Sequence, residues 1–128
     1  MFVLFKNKLF WLTGASTGMG YAIAQDLATK GASLIISSRS LEKLNIKKDE
    51  LAKRGATSVE VVALDLSRED SPQKIKNVLG NRKINGLLLN AGGPKSEKAS
   101  LLQYQDFLKA NQLLVAGPAN FLISMLPY

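Results

Sequence analysis

Short apolar runs alternate along the chain with longer stretches in which apolar positions recur at helical spacing. Leu9–Thr13 (LFWLT), Ser33–Ser37 (SLIIS), Val59–Leu64 (VEVVAL) and Gly86–Asn90 (GLLLN) each read as a strand. All four are apolar nearly throughout rather than alternating, the pattern of strands covered on both faces. Between them, Met19–Lys30 places Ala22, Ile23 and Leu27 at helical spacing and stops at Gly31, a C-cap residue. Ser40 is suited to cap a helix running through Arg54, with Leu41, Leu44 and Leu51 on one stripe and Lys43, Lys47 and Lys48 outside it. Ser71-Pro72 opens a third helix carrying Ile75, Val78 and Leu79. A loop rich in Gly, Pro, Lys and Ser runs from Gly92 to Ser100. The stretch Leu101–Leu126 then reads as one long helix with an interruption at Gly117-Pro118.

Strand followed by helix, four times over, predicts an α/β protein with a parallel sheet. Right-handed crossovers make it doubly wound, with a ligand crevice at the carboxyl ends of the strands. Candidate chemistry therefore belongs just after each strand.

Composition narrows the function without changing this picture. A chain of 128 residues, 46% hydrophobic and 21% charged, is one ordinary globular domain. It holds neither cysteine nor histidine. A disulfide-stapled fold, a zinc finger, a thiol nucleophile, a Ser-His-Asp triad and a His-based metal site are all excluded, and no metal site is expected. The net charge of +7 favours anionic partners. Its bases are scattered, though: Lys43, Lys47, Lys48, Lys74, Lys76, Arg82 and Lys83 occupy separate segments without interleaved aromatics, so a nucleic-acid partner is not expected. Met1–Phe5 is apolar but lacks the basic start and cleavage site of a signal peptide. Leu113–Leu126 falls short of the roughly 18 residues of a membrane span and is interrupted by Asn120 and Ser124. The expectation is a cytoplasmic protein with no membrane partner.

The first strand leads into Thr13-Gly14-Ala15-Ser16-Thr17-Gly18-Met19-Gly20. Glycine suits a turn where φ is positive and where a phosphate touches backbone, and the following helix aims its free N–H groups at that phosphate. Ser16 and Thr17 add hydroxyl donors. A glycine-rich turn with no ligand is the alternative. The second strand ends in Ser37-Ser38-Arg39-Ser40, where dinucleotide folds place an acid for the ribose hydroxyls or an Arg for a 2′-phosphate. No carboxylate stands here. Arg39 offers a phosphate-gripping guanidinium beside Ser38, or is simply an exposed base at a helix start. Asp65-Leu66 after the third strand supplies a carboxylate for an adenine amino group and an apolar neighbour for the ring; Asp65 serves equally as a helix cap. Asn90-Ala91-Gly92 after the fourth strand puts small residues where backbone passes close to a ligand. Asn90 either braces strand ends or contacts the ribose.

Together these residues resemble the N-terminal half of the short-chain dehydrogenases/reductases. Thr13-Gly14-x-x-x-Gly18-x-Gly20, Asp65-Leu66, Asn90-Ala91-Gly92 and a long helix ending at Leu126-Pro127 carry the resemblance, in order and spacing, across nearly the whole chain. It implies a Rossmann fold and hydride transfer between a nicotinamide cofactor and a carbonyl or alcohol substrate. NADP(H) is expected in preference to NAD(H), from Arg39 following a non-acidic residue. The resemblance also implies a homo-oligomer through the 101–126 helix.

Two departures from the family stand out. Its catalytic Ser and Tyr-x-x-x-Lys are not found: the tyrosines are Tyr21, Tyr104 and Tyr128, and four residues beyond the first two stand Gln25 and Leu108. The chain is expected to be a single, incomplete NADP-binding domain of residues 1–128, cut off after the fourth strand and its helix, with no catalytic residue of its own. A non-catalytic NADP-binding module or sensor is the alternative. The expected exposed edge carries Leu87, Leu88 and Leu89 and predicts self-association. The second departure is Leu114, which occupies the family's helix Asn position: seven after Phe107, three before Gly117 and thirteen before Pro127. Asn111 lies one turn early.

Overall fold

The computed structural model describes residues 3–94 and 96–128; Met1 and Phe2 of the apolar start and Lys95 of the loop lie outside the described residues. The chain divides into two compact units, Met1–Leu64 with Lys83–Asn90, and Asp65–Arg82 with Ala91–Tyr128.

The first unit contains the whole sheet. Strands β1 (Leu9–Thr13), β2 (Ser33–Ser38), β3 (Ser58–Ala63) and β4 (Gly86–Leu88) are all parallel in the order β3-β2-β1-β4. The order places β1 and β2 in the middle, and there the continuous apolar pattern holds: Trp11, Leu12, Leu34, Ile35 and Ile36 are buried. The outer strands depart from it. β3 buries Val59 and Val62 with half-buried neighbours, and β4 is half-buried throughout, because each pairs on one side only.

Helices α1 (Gly18–Thr29) and α2 (Leu41–Arg54) complete this unit. The line that α1 buries is Gly20, Ala24 and Ala28, not the larger residues its spacing suggests; Ala22 and Ile23 are exposed. Small residues at i, i+4 and i+8 bring the helix close to its neighbours, so the bulky side chains turn outward. In α2 the cap is as expected, Ser40 Oγ accepting from Lys43 N–H at 3.3 Å, and Leu44 and Leu51 are buried while Leu41 is not. Leu12, Ala15, Ala24, Ala28, Leu34, Ile36, Leu44 and Leu51 form one core.

The second unit is helical: α3 (Gln73–Leu79), α4 (Tyr104–Asn111) and α5 (Gly117–Met125). The stretch 101–126 is not the single long helix expected. A 3-10 turn occupies Ala99–Leu101, α4 starts at Tyr104, and a π-helical turn over Gln112–Ala116 joins α4 to α5 without a break. Pro118 explains the π turn, since it has no N–H to give to Leu114. Gly117 N–H instead reaches back five residues to the Gln112 carbonyl. Gly117 is also closely packed: a Cβ there would overlap the Leu66 carbonyl oxygen.

Candidate functional site

The glycine turn links β1 to α1. Gly14 and Gly18 have φ of 57° and 59°, left-handed values that favour glycine. Beyond that the three glycines differ. A Cβ on Gly14 would collide with the Asn90 backbone carbonyl, and one on Gly20 with the Gly14 carbonyl. These two positions are filled by the protein itself. Gly18 has nothing within 4 Å of where a Cβ would stand and opens to the outside. Of the three, only this middle position has its missing side-chain space open.

The start of α1 suits an anion. Thr17, at its N-cap, makes no capping hydrogen bond, and no acidic residue occupies the first turn, so the leading N–H groups and the positive end of the helix dipole are uncompensated. Ser16 is half-buried, Thr17 and Gly18 are exposed, and Met19 is 73% exposed. The residues present thus fit a phosphate-bearing group.

Asn90 and Thr13 hold this turn. Thr13, buried at the end of β1, donates from Oγ1 to the Asn90 carbonyl at 2.8 Å and accepts from Asn90 N–H at 2.9 Å. Asn90 Nδ2 donates to the Gly14 carbonyl at 3.1 Å. Of the two roles open to Asn90, the geometry therefore displays the bracing one. Thr13 thus joins the site beyond the residues expected from the sequence, and its place directly before Gly14 is the signal that marks it. At the other end of the same strands Asn85 closes a similar pair: Leu9 N–H donates to Asn85 Oδ1 at 2.8 Å and Asn85 N–H to the Leu9 carbonyl at 2.7 Å.

The end of β2 lies beside the turn, since Ala15 N–H donates to the Ser37 carbonyl at 3.1 Å. Ser38 is occupied locally, its Oγ accepting from Ser40 N–H at 3.3 Å. Arg39 is exposed. Gly14, Ser16, Thr17, Gly18, Met19, Gly20, Ser38, Arg39 and Asn90 thus belong to one unit. Asp65, Leu66, Ala91 and Gly92 belong to the other. There Asp65 Oδ1 accepts from both Ser67 N–H (3.0 Å) and Ser67 Oγ (2.6 Å), a local turn rather than a helix cap. Leu66 is buried, Ala91 half-buried and Gly92 exposed.

Two ionisations are shifted where α1 meets α2. Burial, and then the Glu50 carboxylate that accepts from its hydroxyl, raise the Tyr21 pKa; that hydroxyl, and then Lys47, lower the Glu50 pKa. Lys47 Nζ stands 3.1 Å from Glu50 and 4.4 Å from the Tyr21 ring centre, so the group joins α1 to α2. Among the described residues no cluster of metal-ligating side chains occurs, and no helix is long and apolar enough to cross a membrane.

The turn, the strand order and the position of Arg39 agree with what the chain resembles. Residues 8–128 match the short chain dehydrogenase family. The chain belongs to that family. An uncharacterized oxidoreductase of Listeria monocytogenes is 30% identical over 124 residues, which are 95% of this chain and 50% of that protein. The structure of Pseudomonas aeruginosa RhlG, solved as an NADP complex, superposes with a TM-score of 0.87 at 25% identity, covering 98% of this chain and 49% of RhlG. L-sorbose reductase from Gluconobacter frateurii, complexed with NADPH and L-sorbose, shares the fold at a TM-score of 0.87 and 22% identity, over 99% of this chain and 49% of its own. The fold is thereby the doubly wound, Rossmann-type α/β fold of that family. The chain spans about half the length of the relatives it matches.

Proposed function

We propose that this chain is the NADP(H)-binding part of an oxidoreductase that moves a hydride between the nicotinamide and a carbonyl or alcohol on a small molecule. The observation that carries the reading is the open Gly18 between two self-packed glycines, at the uncapped start of α1. In this reading Gly14, Ser16, Thr17, Gly18, Met19 and Gly20 hold the pyrophosphate through backbone N–H groups and hydroxyls. Arg39, with Ser38 beside it, takes the 2′-phosphate. Asp65 and Leu66 are assigned to the adenine, and Asn90, Ala91 and Gly92 to the ribose. The bound cofactor supplies or accepts the hydride; these residues bind and orient it.

The preference for NADP(H) over NAD(H) rests on Arg39, exposed and standing where no carboxylate is present to take ribose hydroxyls. The NADP complex of RhlG supports it. The reading also includes a homo-oligomer formed through the α4–α5 stretch, supported by the exposure of Tyr104, Phe107, Val115, Ile123 and Leu126 along it.

Titration of NADPH and NADH fluorescence tests the reading. NADPH is expected to bind more tightly than NADH. Arg39→Ala removes a charge-assisted contact worth about 1.5–3 kcal/mol. It is therefore expected to weaken NADPH by about one to two decades and leave NADH nearly unchanged. Equal losses for both cofactors remove Arg39 from the site, and binding of neither removes the reading.

A further inference from the structure

Ser37 is a polar residue where the pattern calls for an aliphatic one. It lies in the middle of the sheet, next to Ile36 and paired in register with Thr13, and is fully buried. Its hydroxyl is used twice: Oγ accepts from the Trp11 indole Nε1–H at 3.0 Å and donates to the Leu12 carbonyl at 3.3 Å. Trp11 is itself fully buried. Desolvating a hydroxyl at this depth is unfavourable unless both roles are met, and here they are.

The backbone around Ser37 is equally committed. Its carbonyl accepts from Ala15 N–H at 3.1 Å, inside the glycine turn, and the next carbonyl, Ser38 O, accepts from Leu64 N–H at 2.8 Å. Arg39 then leaves the sheet. One residue therefore connects the glycine turn through its main chain and β1 through its side chain, and stands two positions before Arg39.

We infer that Ser37 is a positioning residue that fixes the span between the glycine turn and Arg39, so that a ligand touching both is held with its two phosphate groups in register. The inference rests on the NADP(H) reading above. It gives the buried hydroxyl a consequence that a packing role alone does not have: its loss matters for a ligand bridging both places, and hardly at all for a ligand touching one.

The test uses three ligands. NADPH reaches both the turn and Arg39, NADH lacks the 2′-phosphate, and 2′-AMP lacks the pyrophosphate. With Ser37→Ala, NADPH is expected to weaken about tenfold while NADH and 2′-AMP each change less than about twofold. Trp11→Phe keeps an aromatic ring but removes the indole donor, and serves where Ser37→Ala does not fold; the same selective loss is expected, smaller in size. Ser37→Cys, close to serine in volume with a weaker sulfur partner, is expected to fall between wild type and alanine. Uniform loss for all three ligands, or no loss for NADPH, overturns the inference while wild-type binding of NADPH leaves the cofactor reading standing. Wild type that binds NADPH no better than NADH overturns both.

Discussion

The two units use apolar side chains in opposite ways. In the first, α1 buries only Gly20, Ala24 and Ala28, the central strands supply the bulk, and Leu44 and Leu51 of α2 join one core. In the second, Phe121 and Met125 are buried, yet Leu101, Tyr104, Phe107, Val115, Ile123 and Leu126 are each more than half exposed. Two individual glycines also make a contrast. Gly18 stands open and Gly117 is tightly enclosed. The lesson is that an apolar pattern marks burial only where other side chains are there to receive it, and that a glycine marks a ligand only when nothing of the protein occupies its missing side chain.

The largest effect expected is at Gly117. Gly117→Ala drives a methyl into the Leu66 carbonyl, backbone that cannot rotate away, and is expected to cost about 3 kcal/mol or more in urea unfolding. A cost near that of a surface substitution breaks the contrast between the enclosed and the open glycine. Gly18→Ala meets no atom, and its φ of 59° alone sets the stability cost, about 1–2 kcal/mol. NADPH affinity, by contrast, is expected to fall more than about tenfold, because the methyl fills the space kept for phosphate. Full binding by this variant takes the glycine turn out of the site.

Smaller still is the Tyr21–Glu50 link. The Glu50 carboxyl is held low by the Tyr21 hydroxyl and Lys47, so its contribution is present above the ordinary carboxylate pKa and is lost as pH falls through the lowered value. Tyr21 is raised, first by burial and then by Glu50, so its contribution is present below the ordinary tyrosine pKa and lost as pH rises through the raised one. Tyr21→Phe is expected to flatten both flanks of the stability–pH curve, read by thermal unfolding; an unchanged curve sinks the link. The smallest change expected is in stability when Val115 and Ile123 become Lys, within about 0.5 kcal/mol at each exposed position. Light scattering then decides whether those side chains hold copies together, since a drop in mass with intact folding is expected.

The strand pattern carried most of the fold to the reader. All four strands and the first three helices fall within a few residues of the expected positions, because apolar runs and caps such as Ser40 act locally. What escaped depended on distant atoms. The small-residue face of α1 is set by its approach to the sheet, so Ile23 turned outward. The π turn is set by Pro118 acting on carbonyls behind it, not by any apolar period. In the site, the glycine motif and Arg39 were legible as chemistry. Which glycine stays open, and the Thr13–Asn90 brace, were not, since the first depends on how the turn folds back on itself and the second on β4 lying against the end of β1.

The π turn has a consequence for how this stretch tolerates change. An α-helix advances about 100° per residue, so one added residue sets everything after it out of phase with everything before unless a wider turn absorbs it. The turn over Gln112–Ala116 is such a wide turn, and the buried line Gly117, Phe121 and Met125 follows it. Removing one residue from that segment restores an unbroken helical repeat. Phe121 and Met125 then keep the face they now occupy, because the wide turn had already absorbed the added residue. A single-residue deletion inside Gly117–Met125 has no wide turn to absorb it: it rotates the residues after it by about 100° and takes Met125 out of the buried line.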